Sequence, residues 1–323
     1  MKALSAITLV SVSLQAVLAL PQAGLSPRQT CSSPKVRKEW SKATQAEQSS
    51  YIQAALCLAT KPSKIGLKTT LYDDFGYIHA LLFGQIHDQP SFFPWHRYFL
   101  DVYEKALHDC GYSGTIMYWD WVADSAAPAK AKVFDTVRGF GTNGTNTREH
   151  CLVDGPFKDL RPAYWNGEPR NEFNPPCLAR AWEPGYPEFG VIEMYGESYS
   201  PPVLERINAI EDFDEFRRDL EGGPHAAIHG GVGGRDGDMG LQSSSPNDPL
   251  FFLHHAQVDR LWWRWQQQDA PRRTFMYYGP KQDGVGTPAT LDDILPMAKL
   301  AADLKVREFM DTKGGPLCYT YDS

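Results

Sequence analysis

The sequence predicts one mainly α-helical domain with long loops and little β structure. Apolar residues recur every three or four positions in Arg37–Leu58, in Tyr72–Phe83 and from Trp95 to about Asp109, which is the period of an amphipathic helix. Residues 123–202 differ, because they are rich in Gly, Pro, Asn and Asp and contain few periodic runs. That composition favours long loops with short elements. We find no internal repeat and no linker, so a single domain is favoured.

Proline and glycine mark the limits of the predicted helices. The Asp88-Gln-Pro90 segment interrupts the second helix, since proline cannot continue a helix. Pro224 is tolerated in the first turn of a later helix, and the glycines that begin at Gly230 predict its end. The second half of the chain therefore predicts four helices: Pro202–Asn208, Phe213–Leu220, Pro224–His229, and a long helix that begins near Asp248 or Pro249.

The N-terminus has the features of a secretory signal peptide. Lys2 is followed by an apolar run, Leu4–Leu20, and Val17-Leu18-Ala19 offers a small-residue cleavage site. The run is short for a membrane span and no stop-transfer flank follows it. We therefore predict a signal peptide over residues 1–19, an N-terminal extension over 20–35 and a folded domain over 36–323, in a protein that is secreted to the extracellular space.

Cysteine content and charge narrow the class of protein further. Six cysteines in a secreted chain predict three disulfides, although their spacing does not reveal the pairing. We expect one disulfide to pin the loops of residues 123–202, which contain Cys151 and Cys177. Asn143-Gly-Thr145 is a glycosylation sequon, as expected for a surface loop. The formal net charge of −7 and the lack of a long basic run argue against nucleic acid as a partner, and we expect no membrane partner either.

Seven of the nine histidines fall in two groups. His225 and His229, in the second group, are four residues apart, so on a helix they project from one face and can hold one metal ion. His254 and His255 lie about 100° apart around a helix, so they cannot both face that ion. Both faces are partly apolar, and periodicity leaves the choice open. The groups are His79, His87 and His96, and then His225, His229, His254 and His255, with only one of the last two as a ligand beside His225 and His229.

The ligand type indicates which metal these groups bind. Imidazole suits copper, zinc, iron and nickel. A hydrolytic zinc pair usually has bridging carboxylates, and no carboxylate stands at a comparable position here. Two three-histidine groups therefore favour a redox pair of copper ions. The alternatives are a zinc hydrolase and a helical binding protein whose histidines are incidental.

The two histidine segments resemble the copper-binding regions of the tyrosinase and catechol oxidase (polyphenol oxidase) family of type 3 copper proteins. The resemblance covers roughly Val36 to Gln267 and implies a four-helix bundle that holds two copper ions, each on three histidines. It also implies that His255 is a ligand and His254 a neighbour. The motifs that carry it are Phe93-Pro94-Trp95-His96-Arg97, Tyr118–Trp121, Asn247–His255 and Val258–Trp262, with Tyr319-Thr320-Tyr321 resembling the closing tyrosine motif.

The resemblance implies an oxidase of phenolic small molecules that uses O2. We expect o-diphenols to be converted to o-quinones while O2 is reduced to water, with monophenol hydroxylation weak or absent. A full tyrosinase and an o-aminophenol oxidase are alternatives within the family, and an oxygen-carrying hemocyanin-like protein is a more distant one. Longer relatives carry a C-terminal domain that plugs the site, and we expect no such lid domain here.

Three positions depart from the family pattern or test it. Gln85 stands where many members carry a cysteine that forms a thioether to the second histidine, so we expect no crosslink. Ala226 stands where tyrosinases often carry an asparagine that helps to deprotonate incoming phenols. Glu221 is the candidate carboxylate for that proton transfer, and a solvated loop charge is its alternative interpretation.

The resemblance also predicts the surroundings of the substrate. Gly230 should leave the entrance open, and the loop Met239–Ser245, with Gln242 as a candidate, should form a gate. Phe251 is expected to pack beside the ligands, one helical turn before His255. Asp259 is expected to support the site from behind, by holding its helix or a distant cation.

Overall fold

The computed structural model describes residues 31–169, 176–281 and 286–323. The predicted signal peptide and residues 20–30 of the predicted extension lie outside the described residues. A π-helical turn, Glu221–His225, leads directly from the fifth helix into the sixth. The α-helices of the described residues are α1 (Gln45–Leu58), α2 (Leu71–Ile86), α3 (Phe92–Asp109), α4 (Pro201–Asn208), α5 (Phe213–Leu220), α6 (Ala226–Gly233), α7 (Leu250–Gln267) and α8 (Ala270–Arg273).

Strands in the described residues are short and pair two by two. They are β1 (Lys35–Arg37), β2 (Tyr164–Trp165), β3 (Glu168–Pro169), β4 (Ile294–Leu295), β5 (Leu304–Lys305) and β6 (Tyr319–Tyr321). β2 pairs antiparallel with β3, and β4 with β5. β1 pairs in parallel with β6, which brings the two ends of the described chain together. The predicted mainly α fold with long loops and little β structure is confirmed.

Helix α7 lies at the centre of the core. Every residue from Leu250 to Trp262 is buried, which is the pattern of a helix surrounded by protein on all sides. Its aromatic rings stack on those of α3: Phe252 on Tyr103 with ring centroids 3.4 Å apart, and Trp262 on Phe93 at 5.2 Å. This packing fixes α3 and α7 side by side, with the histidines of both helices inside the core.

The predicted start of the first helix at Arg37 is wrong. Arg37 ends β1, and a single 3₁₀ turn covers Trp40–Lys42 before α1 begins at Gln45. Thr44 caps α1, because its hydroxyl accepts from the Glu47 amide while the Glu47 carboxylate accepts from the Thr44 amide. The apolar period extends N-terminal to the helix because Trp40 is buried without being α-helical.

The predicted end of the helix that carries His225 and His229 is also wrong. The helix continues through Gly233, and the chain leaves it at Gly234, where φ is +54°. Glycine is needed in the last turn of this helix because backbone atoms of other segments pack closely against it. A Cβ on Gly231 would overlap the Met194 carbonyl oxygen, and one on Gly233 would overlap the Gly240 nitrogen.

Three disulfides form, as the sequence predicts. Cys151–Cys177 pins the long loops of the middle segment, and Cys57–Cys110 joins the end of α1 to the end of α3. Cys31–Cys318 stands beside the β1–β6 pair. Among the described residues, none of the helices combines the length and apolar character that a bilayer span requires.

Candidate metal centre

The first histidine group converges from two helices and the turn between them. His79 lies in the middle of α2, His87 directly follows α2, and His96 lies near the start of α3. All three are buried, with ring centroids 5.0 to 5.5 Å apart. The Nε2 atoms of His79 and His96 are 3.3 Å apart. The structure therefore brings together the three residues of the first predicted ligand set.

The second group contains four buried histidines. His225 ends the π-helical turn, His229 lies on α6, and their Nε2 atoms are 3.1 Å apart. His254 approaches His229 to 4.8 Å and His225 to 5.2 Å, measured between ring centroids. His255 lies 5.1 Å from His225 and 5.7 Å from His229. Nitrogen atoms of all four lie within 4.8 Å of one another, so distance alone leaves the choice between His254 and His255 open.

The two groups face each other across the bundle. His96 and His255 stack with ring centroids 4.3 Å apart and planes 12° apart. Phe251 packs against His255 at 4.2 Å and against His79 at 5.2 Å. Helices α2, α3, α6 and α7 thus meet at a common centre, lined by imidazoles and walled by aromatic rings.

Backbone carbonyls fix the orientation of five imidazoles. A carbonyl oxygen only accepts hydrogen bonds, so each Nδ1 carries the proton and each Nε2 keeps a lone pair for a metal ion. The Nδ1 atoms donate to the carbonyls of Ser243 (from His79, 3.0 Å), Phe83 (from His87, 3.3 Å), Phe92 (from His96, 2.7 Å), Glu221 (from His225, 2.9 Å) and Met239 (from His229, 3.0 Å).

Burial keeps these histidines neutral. It lowers the pKa of His79 to about 3 and that of His229 to about 4, and it lowers the pKa of His87, His96 and His255 well below the ordinary value. Repulsion from neighbouring imidazoles adds to the effect of burial at His87, His96 and His255. Neutral imidazole is the form that binds metal ions.

Five ring nitrogens of the histidines in the two groups are buried without a hydrogen-bond partner. They are Nε2 of His87 and both ring nitrogens of His254 and His255. A buried polar atom without a partner costs roughly 1–3 kcal/mol, and a metal ion would remove that cost at each nitrogen that it binds. The donor set consists of imidazoles, which suits copper. The residues therefore fit a pair of copper ions.

One loop supports a histidine from each group. The Met239 carbonyl holds His229, and the Ser243 carbonyl holds His79. This is the loop that the family resemblance marks as a gate, and Gln242 within it is partly exposed. Sequence reasoning missed Met239 and Ser243 as support, because any residue type can supply a backbone carbonyl.

Behind the histidines, Asp259 joins four elements. It lies on α7 one turn after His255 and accepts from Arg97 Nε at 2.5 Å, from Arg37 Nη1 at 3.3 Å and from the hydroxyls of Tyr319 and Tyr321. Burial would raise the pKa of Asp259, but Arg97 and Arg37 hold that pKa below its ordinary value. Asp259 thus contacts two cationic arginines and ties α7 to α3, β1 and β6.

A second buried ion pair holds the N-terminal end of α7. Both carboxylate oxygens of Asp248 accept from Arg180, at 2.6 and 2.8 Å. Asp248 also accepts from the Leu250 amide at 3.0 Å. The sequence predicted that this helix begins near Asp248 or Pro249, but it did not reveal Arg180, because nothing in the sequence marks a partner 68 residues away.

Glu221 is buried rather than solvated, so the alternative interpretation of a solvated loop charge is wrong. Its Oε1 accepts from the Asp88 amide at 2.7 Å, and its Oε2 accepts from Arg217 at 2.8 Å. Burial raises the pKa of Glu221 to about 7 even though both of these bonds lower it. The carboxylate thus joins the turn that follows His87 to Arg217 on α5.

Ala226 and Gly230 lie one turn apart on α6 and are both partly exposed. Both lie on the helix that carries His229. A Cβ on Gly230 would lie 3.4 Å from a ring carbon of Tyr195, so a tyrosine ring borders the entrance that glycine was expected to leave open. Tyr195 and the preceding Met194 both have left-handed backbones, with φ of 58° and 52°.

Residues 69–268 match the common central domain of tyrosinase. The chain belongs to the tyrosinase family. It is 40% identical over 326 residues to "Tyrosinase ustQ" of Aspergillus flavus, covering 98% of this chain and 88% of the relative. It is 30% identical over 377 residues to "N-acetyl-6-hydroxytryptophan oxidase ivoB" of Emericella nidulans, covering 96% and 99%.

A solved structure agrees with this family. A point mutant of the polyphenol oxidase from Thermothelomyces thermophila superposes with a TM-score of 0.76 at 27% identity, over 90% of this chain and 89% of that chain. The tyrosinase-family protein described here is therefore an oxidoreductase of the type 3 dicopper class. The predicted family, helical fold and copper cofactor are confirmed.

Proposed function

We propose that this tyrosinase-family protein oxidises o-diphenols to o-quinones and reduces O2 to water, with weak or absent monophenol hydroxylation. The observation that carries the proposal is the pair of facing imidazole groups, together with the small and partly exposed residues Ala226 and Gly230 on the helix that carries His229. Two diphenols give up four electrons and four protons, and one O2 takes them up to form two waters.

We assign the ligands by joining the family resemblance to the observed geometry. His79, His87 and His96 would hold one copper ion, and His225, His229 and His255 the other. When bound, the copper pair supplies the electron transfer between the diphenol and O2. The resemblance favours His255 over His254, and the stacking of His255 on His96 of the first group supports this choice.

The other site residues would bind the ring and exclude water. Phe251 fills the space between the two groups, against His255 and His79. A phenolic ring would enter over Ala226 and Gly230, bordered by Tyr195, with Gln242 on the loop beside it. A site that is walled by aromatic rings and opens on small residues suits one planar aromatic substrate.

Proton transfer is the step at which Ala226 matters. Glu221 is our candidate acceptor for a phenol proton, because a carboxylate oxygen can accept more than the one hydrogen bond that each already makes. Ala226 lacks the side-chain amide with which an asparagine could orient a water molecule toward that carboxylate. This absence supports the assignment of weak monophenol hydroxylation.

Oxygen consumption by the copper-reconstituted protein tests the proposal. Matched pairs such as 4-methylcatechol and 4-methylphenol should be oxidised at clearly different rates, the diphenol faster. Ala226→Asn should raise the monophenol rate and leave the diphenol rate nearly unchanged. Comparable wild-type rates on both substrates would refute the assignment, and an unchanged monophenol rate in the variant would remove Ala226 from it.

An o-aminophenol or a hydroxylated indole is the second candidate substrate class. A relative that is 30% identical is named as an oxidase of N-acetyl-6-hydroxytryptophan. Electron removal from an aminophenol or a hydroxyindole needs the same metal pair. Including both compounds in the oxygen-consumption panel decides between the classes, because the preferred class should give the highest kcat/KM.

We also propose that the protein is secreted and has lost residues 1–19. Three disulfides support an oxidising compartment. N-terminal sequencing of protein collected from culture medium should begin after Ala19. Retention of Met1 on protein found only inside the cell would contradict secretion.

A further inference from the structure

The backbone directly after His87 is held in an uncommon conformation. Asp88 has a φ of 57°, a region that costs a non-glycine residue energy unless the surroundings hold it. Its amide donates a 2.7 Å hydrogen bond to Oε1 of Glu221. The turn that presents His87 is therefore held by a residue from the segment of the second histidine group.

Arg217 in turn holds Glu221. It lies on α5 with its side chain 3% exposed, and it donates from Nη1 to Glu221 Oε2 and from Nη2 to Asp214 Oδ1, both at 2.8 Å. One buried arginine thus joins two carboxylates. The Glu221 carbonyl also accepts from His225 at 2.9 Å, so Glu221 contacts the residue that follows His87 through its side chain and the second group through its backbone.

His87 depends on this arrangement more than the other oriented histidines do. Its bond to the Phe83 carbonyl, at 3.3 Å, is the longest of the five. It has no covalent tie, because Gln85 occupies the position of the family's thioether cysteine and every cysteine of the chain lies in a disulfide. The conformation of Asp88 and the stacking of His87 on Phe83, with ring centroids 4.4 Å apart, then constrain where the imidazole of His87 points.

We propose that Arg217 is a positioning residue that acts through Glu221 to fix His87 relative to the second histidine group. The inference rests on the proposed dicopper function, although Arg217 itself contacts neither histidine group. Without Arg217, the buried carboxylate loses its cation, Asp88 relaxes from its left-handed conformation, and His87 leaves its place. The effect should fall on the ion bound by His87 and spare the other.

Copper release to excess chelator tests this asymmetry, with Arg217→Met as the variant. Arg218→Met is the matched control, since Arg218 is adjacent, 62% exposed, and approaches Asp214 at 3.4 Å rather than Glu221. Loss of a residue that supports a metal ligand typically weakens binding about 10- to 100-fold. Arg217→Met should release one of its two coppers faster by that factor and the other at the wild-type rate, while Arg218→Met releases both at the wild-type rate. Wild-type release of both ions from Arg217→Met, or equal acceleration of both, would overturn the proposal.

A measurement on the metal-free protein separates this inference from the proposed function. The Asp88 amide should exchange its hydrogen faster in Arg217→Met than in the wild type or Arg218→Met, whatever the substrate. Unchanged protection of that amide would overturn the proposal even if diphenols are oxidised. Arg217→Lys keeps the charge but has one donor nitrogen in place of the two that bind Glu221 and Asp214. It should therefore show the same change at smaller size, and it replaces Arg217→Met in the comparison if that variant does not fold.

Rescue provides the last check. Asp88→Gly keeps the amide donor, and glycine adopts a φ of 57° at little cost. Added to Arg217→Met, it should slow the fast copper release toward the wild-type rate. No recovery in the double variant would show that the conformation of Asp88 does not transmit the effect of Arg217.

Discussion

The two histidine groups are held in different ways. Each imidazole of the first group, His79, His87 and His96, donates to a backbone carbonyl. In the second group only His225 and His229 do so, while His254 and His255 have no partner at either nitrogen. Backbone contacts thus orient all three imidazoles of the first group. The second group contains one imidazole more than three-histidine binding of a copper ion needs.

The largest expected effect comes from removing a copper ligand, and it decides between His254 and His255. His255→Ala should bind one copper per chain and lose nearly all diphenol oxidation, because a ligand of the second ion is gone. His254→Ala is the matched control and should keep two coppers, with a moderate loss of stability from the vacated space. Copper analysis of both purified variants decides. The opposite pattern would assign His254 as the ligand.

The same contrast explains how far sequence reasoning reaches. Local periodicity located α2, α3 and α5, and spacing located the first histidine group, because these features depend on neighbours within a few turns. The family resemblance, rather than periodicity, chose His255. Arg180, Arg217 and the carbonyls of Met239 and Ser243 were missed because their partners are set by tertiary packing. Gly231 and Gly233 were misread as a helix end, since the sequence does not show that Met194 and Gly240 approach them.

Substitution of Asp259 should destabilise the support of both histidine groups equally, whereas substitution of Arg217 should affect only the ion bound by His87. Asp259→Asn leaves Arg97 buried without a carboxylate and Arg37 with that of Glu104 alone, and breaking such a buried pair costs about 3–5 kcal/mol in free energy of unfolding. Urea denaturation of the metal-free protein measures this loss. Asp292→Asn is the control, because Asp292 is 59% exposed and its ion pairs contribute about 0–1 kcal/mol. Equal losses in the two variants would contradict a structural role for the buried network.

Acid should lower the free energy of unfolding of the metal-free protein through histidines of both groups. The folded pKa is about 3 for His79 and about 4 for His229, below the ordinary value of 6.5. The unfolded chain therefore binds more protons below pH 6.5, and stability falls as the pH drops from 6.5 toward those values. The loss should reach about 2 kcal/mol for each of these two histidines between pH 6.5 and pH 5. Urea titrations at pH 8, 6.5 and 5 check this, and flat stability below pH 6.5 would contradict neutral burial.

A smaller effect should disturb the second group alone. Gly231→Ala places a Cβ in overlap with the Met194 carbonyl oxygen, and such overpacking costs about 1–3 kcal/mol. Gly222→Ala is the matched control, since no atom lies within 4 Å of its added Cβ. Chelator should remove the ion near His229 faster from Gly231→Ala, while the ion near His79 is retained as in the wild type. Equal retention of both ions, with unchanged unfolding, would show that this contact is unimportant.

The most direct test of two facing imidazole sites is anomalous diffraction at the copper edge from crystals of the copper-loaded protein. We predict two peaks, one bound by Nε2 of His79, His87 and His96 and the other by His225, His229 and His255. A single peak, or a second ion bound by His254 in place of His255, would contradict the account.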